Sequence, residues 1–393
     1  MTRLGNKISL CMLALAFLLP VHQLPARAGD KAPDSLSDMG FSYALLSDGS
    51  AEIVSGAGTD ETLIIPASLG GHPVSAIGED TFRGCRGIIS VTIPDSVRAI
   101  GYGAFSGCAS LTGVNFSDTL QEIGGCAFAG CASLSAVTLP EGVTAIGESA
   151  FAWCDALKRI DLPDGLVSLG EYAFSECVSL TSVTLPERLA SIPKGAFYTC
   201  ESLALARLPQ GLTSIGDAAF AMCGALSAVT LPDSLRYIGE AAFESCQSLT
   251  AVSLPLGLST LQNKTFYRCG ALQSVSLPLG LVSVGDAAFG ECASLRGITL
   301  PYGLLFIGDW AFSECGALGD VSFPPGLDTI GTYAFYACCA LQTITLPDSL
   351  HMIGDGAFYQ CPNLLIWCAE GSYAMDYAVR ESIQFQTKAW TNP

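Results

Sequence analysis

Residues 131–153 read CASLSAVTLPEGVTAIGESAFAW, and the same frame returns every 23 residues. A phenylalanine holds its place thirteen times from Phe82 to Phe358, without insertion or deletion. A cysteine follows three residues after each, from Cys85 to Cys361. A fixed period of this size predicts a solenoid, in which each turn contacts only its neighbours. Counting from the cysteine, Val137 and Leu139 at positions 7 and 9 alternate as in a strand with one buried face. Pro140 at position 10 has no N–H and ends the ladder there. Gly147 at position 17 predicts a turn with positive φ. An acidic residue often follows, as in Glu148, Asp217, Asp286 and Asp309, and predicts a cap on a short helical turn ending in Ala-Phe. Each repeat is thus a strand, a turn, a second short extended piece and a helical turn back.

A lone repeat buries too little apolar surface to offset the ordering of its backbone. Stacking supplies the missing contacts and leaves two ends to be closed. Both ends diverge from the frame. Residues 29–81 hold an irregular turn with Leu63-Ile64-Ile65-Pro66 and Val74 to Gly78. After Cys361 the frame frays, Trp367 stands at the valine position, and Ser372 to Ile383 reads as a capping helix. The expected organisation is a leader over 1–28, an N-terminal cap over 29–81, the solenoid over 82–361, and a C-terminal cap and tail over 362–393.

The leader has the pattern of a secretory signal peptide. Arg3 and Lys7 precede a twelve-residue apolar run from Ile8 to Leu19, and Ala26-Arg27-Ala28 supplies small residues for cleavage. A lipoprotein cut before Cys11 fits less well, because Leu10 stands where a small residue is needed. No later stretch has the length of a membrane span. The mature chain is read as exported, secreted or cell-surface associated, with the periplasm as an alternative. Removing the leader's three cations takes the formal charge from −18 to −21. Such a chain repels nucleic acid and anionic lipid.

Seventeen cysteines in an exported chain ordinarily suggest disulfides. Here thirteen share one repeat position, which reads more simply as a column of buried free thiols. Cys126, Cys339 and Cys368 break the column and are the best candidates for pairing. Catalysis is not expected. His72 and His351 lie about twelve repeats apart, and no zinc-ligand spacing, phosphate loop or nucleophile elbow occurs. The outward strand carboxylates, Asp161 and Asp320, are seven repeats apart, about 33 Å at about 4.8 Å per turn, too far for an acid and base pair. No cofactor is implied.

The unit C-x-x-L-x-x-V-x-L-P-x-x-L-x-x-I-G-x-x-A-F resembles the BspA-like, or Treponema-type, bacterial leucine-rich repeats over about residues 40–388. Gly40-Phe41-Ser42-Tyr43 and Gly371-Ser372-Tyr373-Ala374 fit its flanks. The resemblance implies a curved right-handed solenoid with a parallel β-sheet on one face, displayed at or beyond the bacterial surface. It implies adhesion to host matrix proteins, coaggregation or other protein–protein recognition, and no catalytic residue. The surface-attachment domains of some members have no counterpart here.

Ligand residues must therefore be sought in departures from the repeat. Position 8 is Ser or Thr in nine of twelve repeats, from Thr92 to Thr345, as a solvated β-former or a hydroxyl-lined groove. Charges break this face at Lys158, Arg159 and Asp161 in the fourth repeat and at Arg207 in the sixth. At position 11, Asp95, Asp118, Glu141, Asp164 and Glu187 form an acidic column, read as a solvated rim rather than a calcium site. Further along, Leu256, Leu279, Tyr302 and Pro325 replace it, with Val282, Leu305 and Phe306 nearby. Stacking makes these one apolar patch, the mark of a partner or dimer contact. The expected role is recognition of a host matrix or bacterial surface protein. A self-assembling envelope scaffold and a glycan-binding module stand as alternatives, and a homo-oligomer is compatible with the patch.

Overall fold

The computed structural model describes residues 35–388 apart from 57 and 59, so the expected leader lies outside the described residues. The chain forms a parallel β-solenoid of about 15 turns of about 23 residues. Positions 6–8 form a three-residue strand, as in Ala136–Thr138, whose middle residue is buried. These strands pair in parallel, with Val137 beside Ile160 and Val183 beside Ala206. Positions 15–16 form a two-residue strand, as in Ala145–Ile146, which pairs in parallel with Glu122–Ile123 and Ser168–Leu169. The short extended piece expected from the sequence is therefore a second hydrogen-bonded ladder.

The third side differs from the expected helical turn. The amides of Ser149, Phe151 and Trp153 donate to the carbonyls of Glu171, Ala173 and Ser175 in the next repeat, at 2.8, 2.8 and 2.9 Å. Left-handed residues at positions 19 and 23, such as Ser149 (φ 53°), Trp153 (59°), Tyr172 (56°) and Glu176 (60°), interrupt any helix. They aim the amides at the neighbouring repeat, which satisfies both turns at once. The glycine at position 17 does not carry the positive φ. It is small because the repeats meet there: a Cβ on Gly170 would lie 2.3 Å from the Gly147 carbonyl carbon. The acidic residue after it caps the next repeat rather than its own. Asp286 accepts from the Asp309 amide at 2.9 Å, and Asp309 from the Thr332 amide at 2.7 Å.

The core is a stack of phenylalanines. Consecutive rings from Phe82 to Phe358 lie 5.1–5.6 Å apart at 6–14° to each other. That is the offset-stacked range, worth about 0.5–1.5 kcal/mol per pair beyond burial. All sixteen described cysteines are free. From Cys108 to Cys361, each column thiol donates to the carbonyl of the phenylalanine 26 residues earlier, at 3.1–3.3 Å. Cys126, Cys339 and Cys368, the expected disulfide candidates, do not pair. Cys126 instead faces the Tyr102 hydroxyl at 3.5 Å, Cys339 is exposed, and Cys368 is buried in the last turns.

At the N-terminal end, Ala51–Gly56 pairs in parallel with His72–Ile77 and antiparallel with Phe41–Leu45. Phe41 meets Phe82 edge-on at 6.4 Å. At the other end the register slips by one residue. Ile366, not Trp367, follows Ile344 at the inward position, and Trp367 joins the outer column beside Thr345. The expected capping helix is present as Tyr373–Arg380, with the Ser372 side chain accepting from the Met375 amide. Tyr377 closes the phenylalanine stack: its ring lies edge-on to Phe358 at 6.1 Å, and its hydroxyl accepts from the Phe358 amide at 3.2 Å.

Candidate interaction surface

In Ala136–Thr138, Ser182–Thr184, Ala251–Ser253 and Thr343–Thr345 the outer residues face solvent while the middle one is buried, so position 8 lines an open face. Lys158, Arg159 and Arg207 are exposed there, and Asp161 is half-buried. Arg159 and Asp161 form an ion pair along their strand at 2.8 Å, and the Thr138 hydroxyl donates to Asp161 at 3.3 Å. The register runs Thr138 to Asp161 and Thr184 to Arg207. The charged spot is thus partly self-neutralised by Arg159 and Asp161, while Lys158 and Arg207 remain open to solvent.

Past the proline corner the apolar residues stand out from the surface. Leu256, Leu279 and Tyr302 are 75, 79 and 78% exposed in three successive repeats. Glycines 257, 280 and 303 follow them, and a Cβ on Gly303 would lie 3.7 Å from the Leu279 carbonyl, which shows how closely these corners stack. A few residues on, the Leu305 amide donates to the Val282 carbonyl at 2.9 Å, and Phe306 pairs with Ser283. Val282, Leu305 and Phe306 are all exposed. The position-8 and position-11 columns meet in one groove of about 410 Å³, lined among others by Thr230, Ser253, Ser276, Asp233, Leu256 and Pro278. Just before it the strand ladder thins to a single bridge, Leu205 to Ala228, and within it Ala251–Ser253 pairs with Ser274–Ser276. The sequence treated the hydroxyl column and the apolar patch as separate features. The fold joins them at Leu256, which lines the groove with the hydroxyls, and leaves the charged spot of the fourth and sixth repeats outside it.

The acidic column is exposed from Asp95 to Glu187. Among the described residues no group of three or more His, Cys, Asp or Glu could hold a metal ion. His72 bonds the Gly49 carbonyl and His351 bonds Asp328, each at 2.8 Å, at opposite ends of the solenoid. On the turn side a shallow cavity of about 440 Å³ is lined by Gln247, Arg268, Gly270 and Glu291. Its charges are matched internally. Arg268 pairs with Glu291 at 3.0 Å and lies 5.0 Å over the Tyr267 ring, whose hydroxyl donates to Glu291. Burial, then that bond to Glu291, pushes the Tyr267 hydroxyl up to about 12.

The turn side also carries aromatic residues that the sequence reading passed over. Trp310 stacks on Tyr333 at 4.4 Å, Tyr336 stands edge-on to both at 5.8 Å, and Tyr359 continues the row 6.1 Å from Tyr336. A signal was present: a glycine one repeat after a turn-side tyrosine. A Cβ on Gly195 would lie 2.2 Å from the Tyr172 ring, and one on Gly356 2.5 Å from the Tyr333 ring.

The profile of the BspA type leucine rich repeat region matches residues 75–204, 167–281 and 259–367, in six copies. The chain belongs to this family. A leucine-rich repeat protein from Bacteroides ovatus is 27% identical, with a TM-score of 0.58 over 91% of this chain and all of that one. A leucine rich cell surface protein from Faecalibacterium prausnitzii is 24% identical, with a TM-score of 0.50 over 89% of this chain and 98% of that one, and shares the fold. No curated protein matches the chain significantly. Proteins of this repeat class are generally protein-interaction modules. Among the described residues no helix is long and apolar enough to cross a membrane.

Proposed function

We propose that the chain is an exported recognition module that adheres to a host matrix protein or to a protein of a neighbouring cell. The observation that carries this reading is the row formed by Leu256, Leu279 and Tyr302, three large apolar side chains more than three-quarters solvent-open in adjacent repeats. Leu305 and Phe306 extend it, and the serine and threonine hydroxyls of the groove supply hydrogen bonds beside it. Monomeric proteins rarely leave such a contiguous patch uncovered without a partner for it. The stacked repeats fix the row in place, so little ordering is lost on binding. Lys158, Arg159, Asp161 and Arg207 form a flanking polar contact that sets orientation more than affinity. The work of the chain is binding rather than catalysis. The leader over 1–28, the caps over 29–81 and 362–393 and the solenoid over 82–361 belong to the same reading. The same patch supports a second reading, in which it pairs copies of the chain into a scaffold.

The test is binding of residues 29–393 to purified host matrix proteins and to isolated bacterial surface proteins, beside a variant with Lys158, Arg159, Tyr302 and Phe306 changed to serine. Saturable binding by the monomer, lost in the variant, supports recognition. Concentration-dependent assembly without ligand, also lost in the variant, supports the scaffold instead.

A further inference from the structure

Residues 297–379 contain eight aspartates and glutamates and no lysine or arginine. The same stretch holds the row of Trp310, Tyr333, Tyr336 and Tyr359 on the turn side, away from the apolar patch. Trp310 is 42% and Tyr359 58% exposed. Asp309, Glu314 and Asp355 are exposed on the same repeats.

Two features set this row apart. Elsewhere on this side two tyrosines lie under the chain's own cations: Lys194 lies 6.0 Å over Tyr172, and Arg268 5.0 Å over Tyr267. Among the described residues no cation lies over Trp310, Tyr333, Tyr336 or Tyr359. Arg380, just past this stretch, lies over Tyr377 and pairs with Asp355 at 3.7 Å. Second, Trp310 and Tyr333 occupy left-handed backbone, at φ 58° and 53°. Bulky residues adopt that conformation at a cost, and most other repeats place Gly, Ala or Ser at this position. Large rings thus stand where small residues would fold more easily.

We propose that the turn side of the tenth to twelfth repeats docks a basic segment of a protein partner, with an arginine or lysine laid over the Trp310–Tyr336 rings and its neighbours facing Asp309, Glu314 and Asp355. Ring faces attract cations, most strongly that of tryptophan. Carboxylates on the same repeats add attraction, and no cation of the described residues lies over the rings to compete. This inference rests on the recognition reading and names the chemistry of the partner.

The probe is a nine-arginine peptide titrated into residues 29–393, followed by tryptophan fluorescence and calorimetry, with nine-glutamate as control. Trp310→Ala with Tyr336→Ser is the principal variant. Both substitutions restore residues found at the same positions, Ala287 and Ser313, so the fold should be kept. The expected result is a loss of affinity of about tenfold. Glu314→Gln with Asp355→Asn, which keeps the rings, should weaken binding and flatten its salt dependence. Asp118→Asn with Asp164→Asn, on the distant acidic column, should leave affinity unchanged. Equal affinity of wild type and the ring variant would overturn the proposal. So would equal weakening by the distant pair, which would reduce the effect to net charge. Quenching by a neutral oligosaccharide with no response to the peptide would also overturn it, in favour of a glycan site. A failure here, with matrix-protein binding through Tyr302 and Phe306 intact, would remove this inference and leave the recognition reading standing.

Discussion

Raising the pH should unfold this solenoid through its cysteines. A thiol in the unfolded chain ionises near pH 9, whereas burial pushes Cys177, Cys269 and Cys315 up to about 12. Their neighbours Cys154, Cys200 and Cys246 are raised further, by burial and then by adjacent thiols. Below pH 9 both states keep their protons, and the column contributes its full stability. Above pH 9 only the unfolded chain ionises, so stability falls until the folded thiols ionise too. At pH 10 each fully buried thiol favours unfolding by about 1 kcal/mol. The ten thiols from Cys131 to Cys338 are fully buried. Together they amount to on the order of 10 kcal/mol, comparable to the whole stability of an ordinary domain. The assay is far-ultraviolet circular dichroism from pH 7 to 11, with thiol labelling in parallel. Changing Cys200, Cys223, Cys246 and Cys269 to alanine should reduce the loss between pH 8 and 10 by about 4 kcal/mol. An unchanged pH dependence in that variant would refute the reasoning, as would native thiols that label at pH 8 as fast as free cysteine.

Three further outcomes follow from the packing. Phe220→Ala removes a ring stacked at 5.3 and 5.5 Å on its neighbours and should cost about 3–5 kcal/mol in urea unfolding. Gly170→Ala forces a Cβ to within 2.3 Å of the preceding repeat and should cost about 1–3 kcal/mol, although φ there suits alanine. Tyr377→Phe keeps the closing ring but orphans the buried Phe358 amide, and should speed hydrogen exchange in the last repeats by about tenfold or more, leaving the central ones unchanged.

The period exposed the solenoid because a 23-residue frame without gaps admits few other folds, and alternation at Val137 and Leu139 placed one ladder correctly. The turn side was less legible. Its left-handed residues are mostly not glycine, so positions such as Glu176 and Trp310 carry no local sign of their conformation. The glycine at position 17 misled for the opposite reason: it answers a contact with the preceding turn, which composition within one repeat does not reveal. The slip that puts Ile366 inward needed only one missing residue in the last loop. For the candidate surface, the apolar departures at Leu256, Leu279 and Tyr302 were visible because the rest of the column is acidic or polar. The groove that Leu256 shares with Thr230, Ser253 and Ser276 was not, since it depends on how neighbouring repeats stack.

The most direct test of recognition places a photo-crosslinking residue at Leu279 in the full chain, with the same residue at Asp118 as control. Irradiation is carried out on whole cells carrying the chain, in contact with host matrix, and the adducts are identified by mass spectrometry. The account predicts a discrete adduct to one foreign protein from position 279 and none from position 118. Adducts only between copies of the chain, or the same adducts from both positions, would contradict it.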